Sequence, residues 1–314
     1  MKIKSPVLVA LVALSAAVGC ATKDANTTNS NTADNTSKLT ANANASADAA
    51  PKSNLKPGEI PFPGFPTVGT TAKAGDVVLC PSYTWIQDAV TKGPDKVTFI
   101  FYDQKMVTPG EVESELEFMS PGKAKVPNPY IIPIPGGQTA KPGDIVLTWW
   151  QSGSGMNRAI VVEASDPSEP TVRYLDIDYD NPAKSRDGKT TIGQMDEKLK
   201  PNSFVKISNA WEPGSVVAAN DGASRKRGQI IRVAGEKVLT LGFAGTLQVY
   251  DKSACTPVPV VPKVKAGDKV KAPRYGAFTD ATVTKVDGRI GRVFVKFGTD
   301  TEEKAIAFGD VLTN

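Results

Sequence analysis

The sequence predicts an all-β protein in which four small modules follow a disordered N-terminal tether. The chain has 314 residues, of which 27 are glycine and 24 are proline, and this share favours short strands and turns over long helices. A six-residue phrase, typically Lys-x-Gly-Asp followed by valine or isoleucine, recurs four times. Its copies are KAGDVV at 73–78, KPGDIV at 141–146, EPGSVV at 212–217 and KAGDKV at 265–270. Four copies of one phrase indicate four structural units.

The N-terminus has the layout of an export signal. Lys2 and Lys4 precede an uncharged apolar run over 7–18, and this run is too short to span a membrane comfortably. The run ends in AVGC at 17–20, which resembles the lipobox of bacterial lipoproteins. The resemblance implies that 1–19 is removed and that Cys20 becomes the lipidated first residue. An ordinary signal peptide with a coincidental cysteine is the alternative.

Lipidation of Cys20 would anchor the protein to a membrane, because more than one acyl chain gives stable attachment. In proteobacterial lipoproteins an aspartate after the cysteine favours the inner membrane, whereas this chain has Ala21. The resemblance therefore implies a lipid-anchored protein of the cell envelope, at the outer membrane if the cell is Gram-negative.

The segment after Cys20 predicts a flexible tether. Residues 21–50 are almost all small or polar, and Leu39 is their only large apolar residue, so burial cannot offset the entropy of ordering. Residues 55–66, LKPGEIPFPGFP, favour a stiffer, polyproline-like extension. We assign 20–66 to the lipidated cysteine and linker.

Short strands follow each recurring phrase. In the last module they lie at 280–286 and 292–297, joined by a turn at Asp287 and Gly288. The corresponding strands lie at 97–102 in the first module, 172–179 in the second, and 229–233 and 237–241 in the third. The predicted modules span 67–120, 138–208, 209–256 and 263–314, with proline-rich linkers at 121–137, around 200–201 and at 256–262. Such short strands favour small barrels, because closing a sheet removes its exposed edges.

The last module resembles a Tudor or SH3-like barrel over about 50 residues. The residues that carry the resemblance are Gly267, Asp268, Val270, Gly276, Phe278, Ala281, Val283, Phe297, Gly298, Asp310 and Val311. The other modules keep the starting phrase and lose much of the rest, and the second has an insertion between Asn181 and Lys200. We therefore predict tandem SH3-like or Tudor-like barrels.

The resemblance implies ligand binding by aromatic side chains, because Tudor-like barrels bind peptides or methylated cations. Aromatic faces attract cations, and several rings around one ammonium group desolvate it selectively. The candidates are Tyr275, Phe278 and Phe294 in the last module, Tyr83, Trp85 and Tyr102 in the first, and Trp149, Trp150 and Tyr179 in the second. Packing within and between modules is the alternative. Export excludes the chromatin ligands of nuclear Tudor proteins.

Three other patterns allow two interpretations each. Asp176, Asp178, Asp180 and Asn181, with Asp187, partly match a calcium loop, but a half-buried strand explains the alternation better, so no metal is predicted. Residues 225–227, RKR, predict a solvated loop, with contact to anionic wall polymer as the alternative. Cys80 and Cys255 either form a disulfide across two modules or are buried thiols.

The composition favours binding over catalysis. The chain has no histidine, which removes the usual general base, the usual zinc ligand and the Ser/His and Cys/His nucleophiles. A formal charge of +4, to which the leader contributes two lysines, is too small to indicate a nucleic-acid partner. We predict a non-catalytic envelope lipoprotein without cofactor that binds a protein, peptide or wall polymer. The alternatives are an envelope enzyme with Ser/Lys or carboxylate chemistry, and a structural spacer.

Overall fold

The computed structural model describes residues 64–180 and 193–313. Within these ranges the chain forms twenty strands and one α-helix, so the predicted all-β class is confirmed. None of these residues belongs to a helix long and apolar enough to cross a membrane. Cys20, the tether and the segment 181–192 lie outside the described residues.

The strands form four antiparallel units, each with five strands in the spatial order 4-3-2-1-5, which we call repeats 1 to 4. Repeat 1 contains β1 (Val77–Pro81), β2 (Phe101–Thr108), β3 (Glu113–Glu117), β4 (Lys123–Pro127) and β5 (Ile132–Ile134). Repeat 2 contains β6 (Ile145–Trp149), β7 (Met156–Glu163), β8 (Thr171–Tyr174), β9 (Asp196–Lys198) and β10 (Val205–Lys206). Repeat 3 contains β11 (Val216–Asp221), β12 (Ser224–Ala234), β13 (Lys237–Leu241), β14 (Leu247–Asp251) and β15 (Cys255–Pro257). Repeat 4 contains β16 (Lys269–Arg274), β17 (Ala277–Asp287), β18 (Arg292–Phe297), β19 (Lys304–Ala307) and β20 (Leu312–Thr313).

The recurring phrase forms the same turn in all four repeats. Its glycine has a φ between 89° and 93°, and its N–H donates to a carbonyl of the second strand at 2.8 Å each time. The residue that accepts this bond donates its own N–H back to the residue after the glycine. The register of the second and third strands shifts directly after this contact in every repeat. The phrase thus fixes where the first strand starts and where the second strand bends.

Gly214 is the turn glycine with the least space around it. A Cβ there would lie 2.9 Å from Cδ1 of Ile207 and 2.9 Å from Cδ1 of Leu147, both buried, whereas a Cβ at Gly267 would meet nothing within 4 Å. Both positions have positive φ, so alanine is strained at either, and overpacking adds a further cost at Gly214 alone. We expect Gly214→Ala to lower the free energy of unfolding by at least about 1 kcal/mol more than Gly267→Ala, measured by urea denaturation. Equal losses would contradict this account of the turn.

The proline-rich segment 121–137 is not the linker that its composition predicts. It forms β4 and β5, the two outer strands of the first sheet, where β4 pairs with β3 and β5 pairs with β1. Tyr130, Ile131 and Ile132 have no solvent exposure. Apolar side chains between the prolines therefore contribute to the core. The number of prolines alone does not predict this burial.

Two further strand predictions differ from the structure. The sequence predicts one strand over 172–179, but β8 ends at Tyr174 and a bend follows. In repeat 1 the helix α1 (Tyr83–Lys92) and a 3-10 turn (Pro94–Lys96) fill the space between β1 and β2, so β2 begins at Phe101 rather than at 97. Two more 3-10 turns lie at Asn128–Tyr130 and Lys252–Ala254.

Repeats 3 and 4 share one continuous sheet of ten strands. The junction is the pairing of Lys226 in β12 with Ala277 in β17, where the Arg227 N–H donates to the Gly276 carbonyl at 2.8 Å. This junction places the β16–β17 hairpin beside repeat 3. It thereby determines which side chains meet at the candidate site.

Candidate binding cleft

Two exposed aromatic residues lie on neighbouring loops at the junction of repeats 3 and 4. Tyr275 is 85% exposed and Phe243, in the β13–β14 loop, is 71% exposed. A Cβ on Gly276 would lie 2.6 Å from Cβ of Phe243, so the Phe243 loop touches the hairpin that carries Tyr275. The sequence predicts Tyr275 as a ligand contact but not Phe243, since that residue follows a strand with no motif around it.

Tyr275 occupies an unfavourable backbone position. It forms the two-residue turn between β16 and β17 with Gly276, and the φ angles are 52° and 81°. Turns with two positive φ angles favour Asn, Asp or Gly at the first position, because a larger side chain is strained there. A bulky, exposed, strained aromatic side chain is more typical of a contact surface than of a residue selected for stability.

A cleft of about 480 Å³ opens next to Tyr275, between repeats 2 and 4. One wall is the bend that follows β8, and the other is formed by the β16–β17 hairpin with β18 and β19. The lining residues are Asp176, Ile177, Asp178, Tyr179, Asp180, Pro273, Arg274, Tyr275, Arg292, Phe297, Asp300, Lys304, Ala305 and Ile306. Cation and carboxylate side chains thus share the cleft with three aromatic rings.

Most charged side chains of the cleft are paired with each other. Arg274 and Asp300 form an ion pair at 3.0 Å, and Lys304 lies 4.0 Å from Asp180. Among the described residues no carboxylate forms such a pair with Arg292, although Arg292 is only 3% exposed.

Arg292 is held by main-chain carbonyls instead of a carboxylate. Its Nη2 donates to the carbonyls of Tyr174 at 3.2 Å and Ile177 at 3.4 Å, and its Cζ lies 5.5 Å from the centre of the Tyr179 ring. Its Nε is buried and finds no partner within the described part of the chain. Burial lowers the pKa of Arg292 from its ordinary value and outweighs the opposing charge of Asp176, while the positive charge of Arg158 lowers the pKa further. The cleft therefore contains a desolvated cation with unused hydrogen-bonding capacity.

A buried network of two arginines and two aspartates lies behind the cleft. Arg158 contacts Asp176 at 2.5 Å and Asp310 at 2.8 Å, and Arg227 contacts Asp310 at 2.8 Å. Arg158 belongs to repeat 2, Arg227 to repeat 3 and Asp310 to repeat 4, so the network joins three repeats. These residues are far apart in the sequence, and their spacing does not predict that they meet.

The network corrects two interpretations of the sequence. Asp176 is not a strand residue that shows its side chain to water: that side chain is only 19% exposed and pairs with Arg158. Burial would raise the pKa of Asp176, but the charge of Arg158 and the hydrogen bonds from it outweigh burial and hold the pKa at about 2. Residues 225–227 form part of β12 rather than a loop, and Arg227 points into the network.

Several aromatic side chains proposed as ligand contacts pack inside the protein. Phe278 is 8% exposed in a small core cluster with Val216 and Val258. Tyr83 is buried at the start of α1, 5.8 Å from the Phe118 ring. These positions fit the packing alternative.

The aromatic side chains of β6 and its following turn also serve the structure. Trp150 is 9% exposed and donates from Nε1 to the Gln194 carbonyl at 2.7 Å. A Cβ on either Gly153 or Gly193 would come within 2.3 Å of its ring, so the two glycines enclose it. Trp149 is half-buried and packs against the main core.

The remaining predicted rings form half-buried pairs. Trp85 and Tyr102 stack at 5.9 Å in repeat 1, far from the cleft along the chain. Phe294 meets Tyr179 edge to face at 5.7 Å, which links it to the cleft wall. Tyr275, Tyr179 and Phe294 are thus the predicted rings that the structure brings to this region.

Cys80 and Cys255 are both buried free thiols in different repeats, so the disulfide alternative does not hold in this structure. Burial raises the pKa of both thiols, for Cys255 to about 11. Among residues 64–180 and 193–313 no cluster of three or more acidic or cysteine side chains could hold a metal ion. Asn181 and Asp187, the rest of the predicted calcium loop, lie outside the described residues.

Comparison with known proteins gives this chain no family. No family model matches it, and no curated protein is significantly similar.

Proposed function

We propose that the protein is a non-catalytic, lipid-anchored binding protein of the cell envelope, and that the cleft beside Tyr275 is its main binding site. The observation that carries this proposal is the pair of exposed rings, Tyr275 and Phe243, next to a cleft lined by charges of both signs. Tyrosine and arginine are the residues that most often dominate binding energy at protein interfaces, and both are present here.

The proposal also concerns the shape of each repeat. We propose that each repeat is a small SH3-like or Tudor-like barrel, because five short antiparallel strands whose last strand returns to the first favour a strongly curved sheet. Several such units on one chain would give a partner several weak contacts at high effective concentration. Lipid on Cys20 would hold the array at the membrane.

In-cell cross-linking of the tagged full-length protein, followed by mass spectrometry, tests this function. We expect one dominant envelope partner, and at least a tenfold loss of its cross-link when Tyr275→Ala and Phe243→Ala are combined, since two central aromatic contacts are worth at least about 1.4 kcal/mol. Met119→Ala is the matched control, because Met119 is fully exposed in repeat 1 and should leave the cross-link unchanged.

A second variant tests the anchor. Cys20→Ala should release the protein from the membrane fraction and abolish the cross-link to a membrane-positioned partner. Cross-links only within the chain, unaffected by either aromatic substitution, would favour the spacer alternative. Retained membrane attachment of Cys20→Ala would contradict lipidation at that residue.

A further inference from the structure

Strand β19 forms an unpaired edge along the cleft. It pairs only with β18 within the described residues, and Lys304, Ala305 and Ile306 line the cleft. Gly291 and Phe308 lie opposite each other at the end of the β18–β19 ladder. The Phe308 N–H donates to the Gly291 carbonyl at 2.8 Å, so these two residues form a hydrogen-bonded pair. The two kinds of pair alternate along an antiparallel ladder, which makes Ala305 and Phe294 a pair without mutual hydrogen bonds.

The N–H and C=O of Ala305 therefore point away from β18. The Phe294 carbonyl in β18 accepts from the Thr284 hydroxyl of β17 at 3.1 Å. It therefore points toward β17 and away from Ala305, as this register requires. Two residues further along, the Ala307 carbonyl also points away from β18 and accepts from the Asp310 N–H at 3.1 Å. Ala305 is thus the residue whose main-chain groups can receive an added strand.

Arg292 lies in the same cleft and favours a negatively charged group on the ligand. It is the cleft cation without a paired carboxylate in the described part of the chain, while Arg274 and Lys304 each have one. Its buried Nε has no acceptor among residues 64–180 and 193–313. A buried cation gains most from an incoming carboxylate, because charge-assisted hydrogen bonds are about twice as strong as neutral ones and desolvation has already occurred.

We propose that the cleft binds an extended, acidic segment of a partner protein, which adds as a strand beside β19 and places a carboxylate on Arg292. Tyr275 and Phe243 then cover the apolar side chains of that segment at the cleft mouth. The proposal rests on the cleft being the binding site, and it specifies the ligand as peptide rather than wall polymer. The volume of about 480 Å³ is within the usual range of ligand-binding pockets.

The probe is a library of random seven-residue peptides displayed on phage and selected on the full-length protein. We expect the selected peptides to contain an aspartate or glutamate between apolar residues and to lack proline at the centre. In a synthetic copy of the best peptide, replacing that acid by its amide should weaken binding at least tenfold. The same replacement should have almost no further effect on the Arg292→Gln protein, because both changes remove the same contact.

A second pair of variants tests the main-chain part of the proposal. Ala305→Pro removes the outward N–H, and proline is tolerated on an edge strand at such a position. We expect it to weaken peptide binding at least tenfold, with a melting temperature close to that of the unchanged protein. Slower hydrogen exchange of the Ala305 amide on adding the peptide measures the same contact in the unchanged protein.

The second variant tests the charge of the cleft. Arg292→Lys keeps the charge and should bind the peptide better than Arg292→Gln.

The outcomes separate this inference from the proposed function. If no peptide is selected, or if purified wall polymer binds and is insensitive to Arg292→Gln and Ala305→Pro, the peptide proposal is wrong. If, in addition, the Tyr275 and Phe243 variants still lose their cross-linked partner, the cleft remains a binding site with another ligand. If those aromatic variants keep the partner, the proposed function itself fails.

Discussion

We expect Asp310→Ala to lower the free energy of unfolding by about 3 kcal/mol or more, the largest loss from any single change proposed for this protein. The Asp310 side chain is 9% exposed and accepts from both Arg158 and Arg227. Its removal leaves the Arg227 side chain, which is 16% exposed, with only the more distant Asp176 at 3.7 Å. Breaking a buried ion pair costs more than the pair contributes, because the remaining charge stays desolvated. Urea unfolding of the full-length protein measures the loss.

Asp196→Ala is the matched control for this prediction. Asp196 also pairs with an arginine, Arg173, at 3.1 Å, but its side chain is 49% exposed. Exposed pairs contribute at most about 1 kcal/mol, so this substitution should have a small effect. A loss in Asp310→Ala no greater than in Asp196→Ala would show that the buried network does not hold the repeats together.

The network also predicts how the repeats unfold. Arg158, Arg227 and Asp310 come from three different repeats, so breaking the network removes a link between units rather than a contact within one. We therefore expect the Asp310→Ala protein to unfold over a broader range of urea than the unchanged protein, as repeats 2, 3 and 4 lose their coupling.

The sequence predicts those features of this fold that depend on neighbouring residues. The recurring phrase is visible because a turn with positive φ needs glycine at a fixed place before an apolar strand, as at Gly75 and Gly267. The all-β class follows from the same local signals. The strands at 280–286 and 292–297 fall within β17 and β18 for that reason.

The features that the sequence does not predict depend on distant residues. Arg227 looks like one cation of an exposed run until the fold brings it to Asp310, 83 residues away. Phe243 gains its role only because the Lys226 and Ala277 pairing brings its loop to the β16–β17 hairpin. The prolines of 121–137 conceal a buried segment because composition reports turn preference and not burial. Five of the nine candidate rings pack in or against core clusters, since a strand pattern does not show which ring meets the core; they are Tyr83, Trp85, Trp149, Trp150 and Phe278.

The second large effect is a loss of folding stability at acid pH. The pKa of Asp176 is about 2 in the folded protein, below the ordinary value of 3.8, because Arg158 and Arg227 stabilise its charged form. A carboxylate whose pKa falls on folding stabilises the protein fully above the unfolded pKa and loses that contribution as the pH falls through the folded pKa. The difference corresponds to about 2 kcal/mol of stability, which should disappear between about pH 4 and pH 2.

Urea unfolding at a series of pH values tests this expectation against Asp176→Asn. The variant cannot titrate at this position, so we expect it to be less stable at neutral pH and to lose less stability between pH 4 and pH 2. Asp196→Asn changes an exposed pair and is the control substitution, with a small expected effect on stability at neutral pH. An identical slope in Asp176→Asn and the unchanged protein would mean that Asp176 is not the group that Arg158 holds ionised.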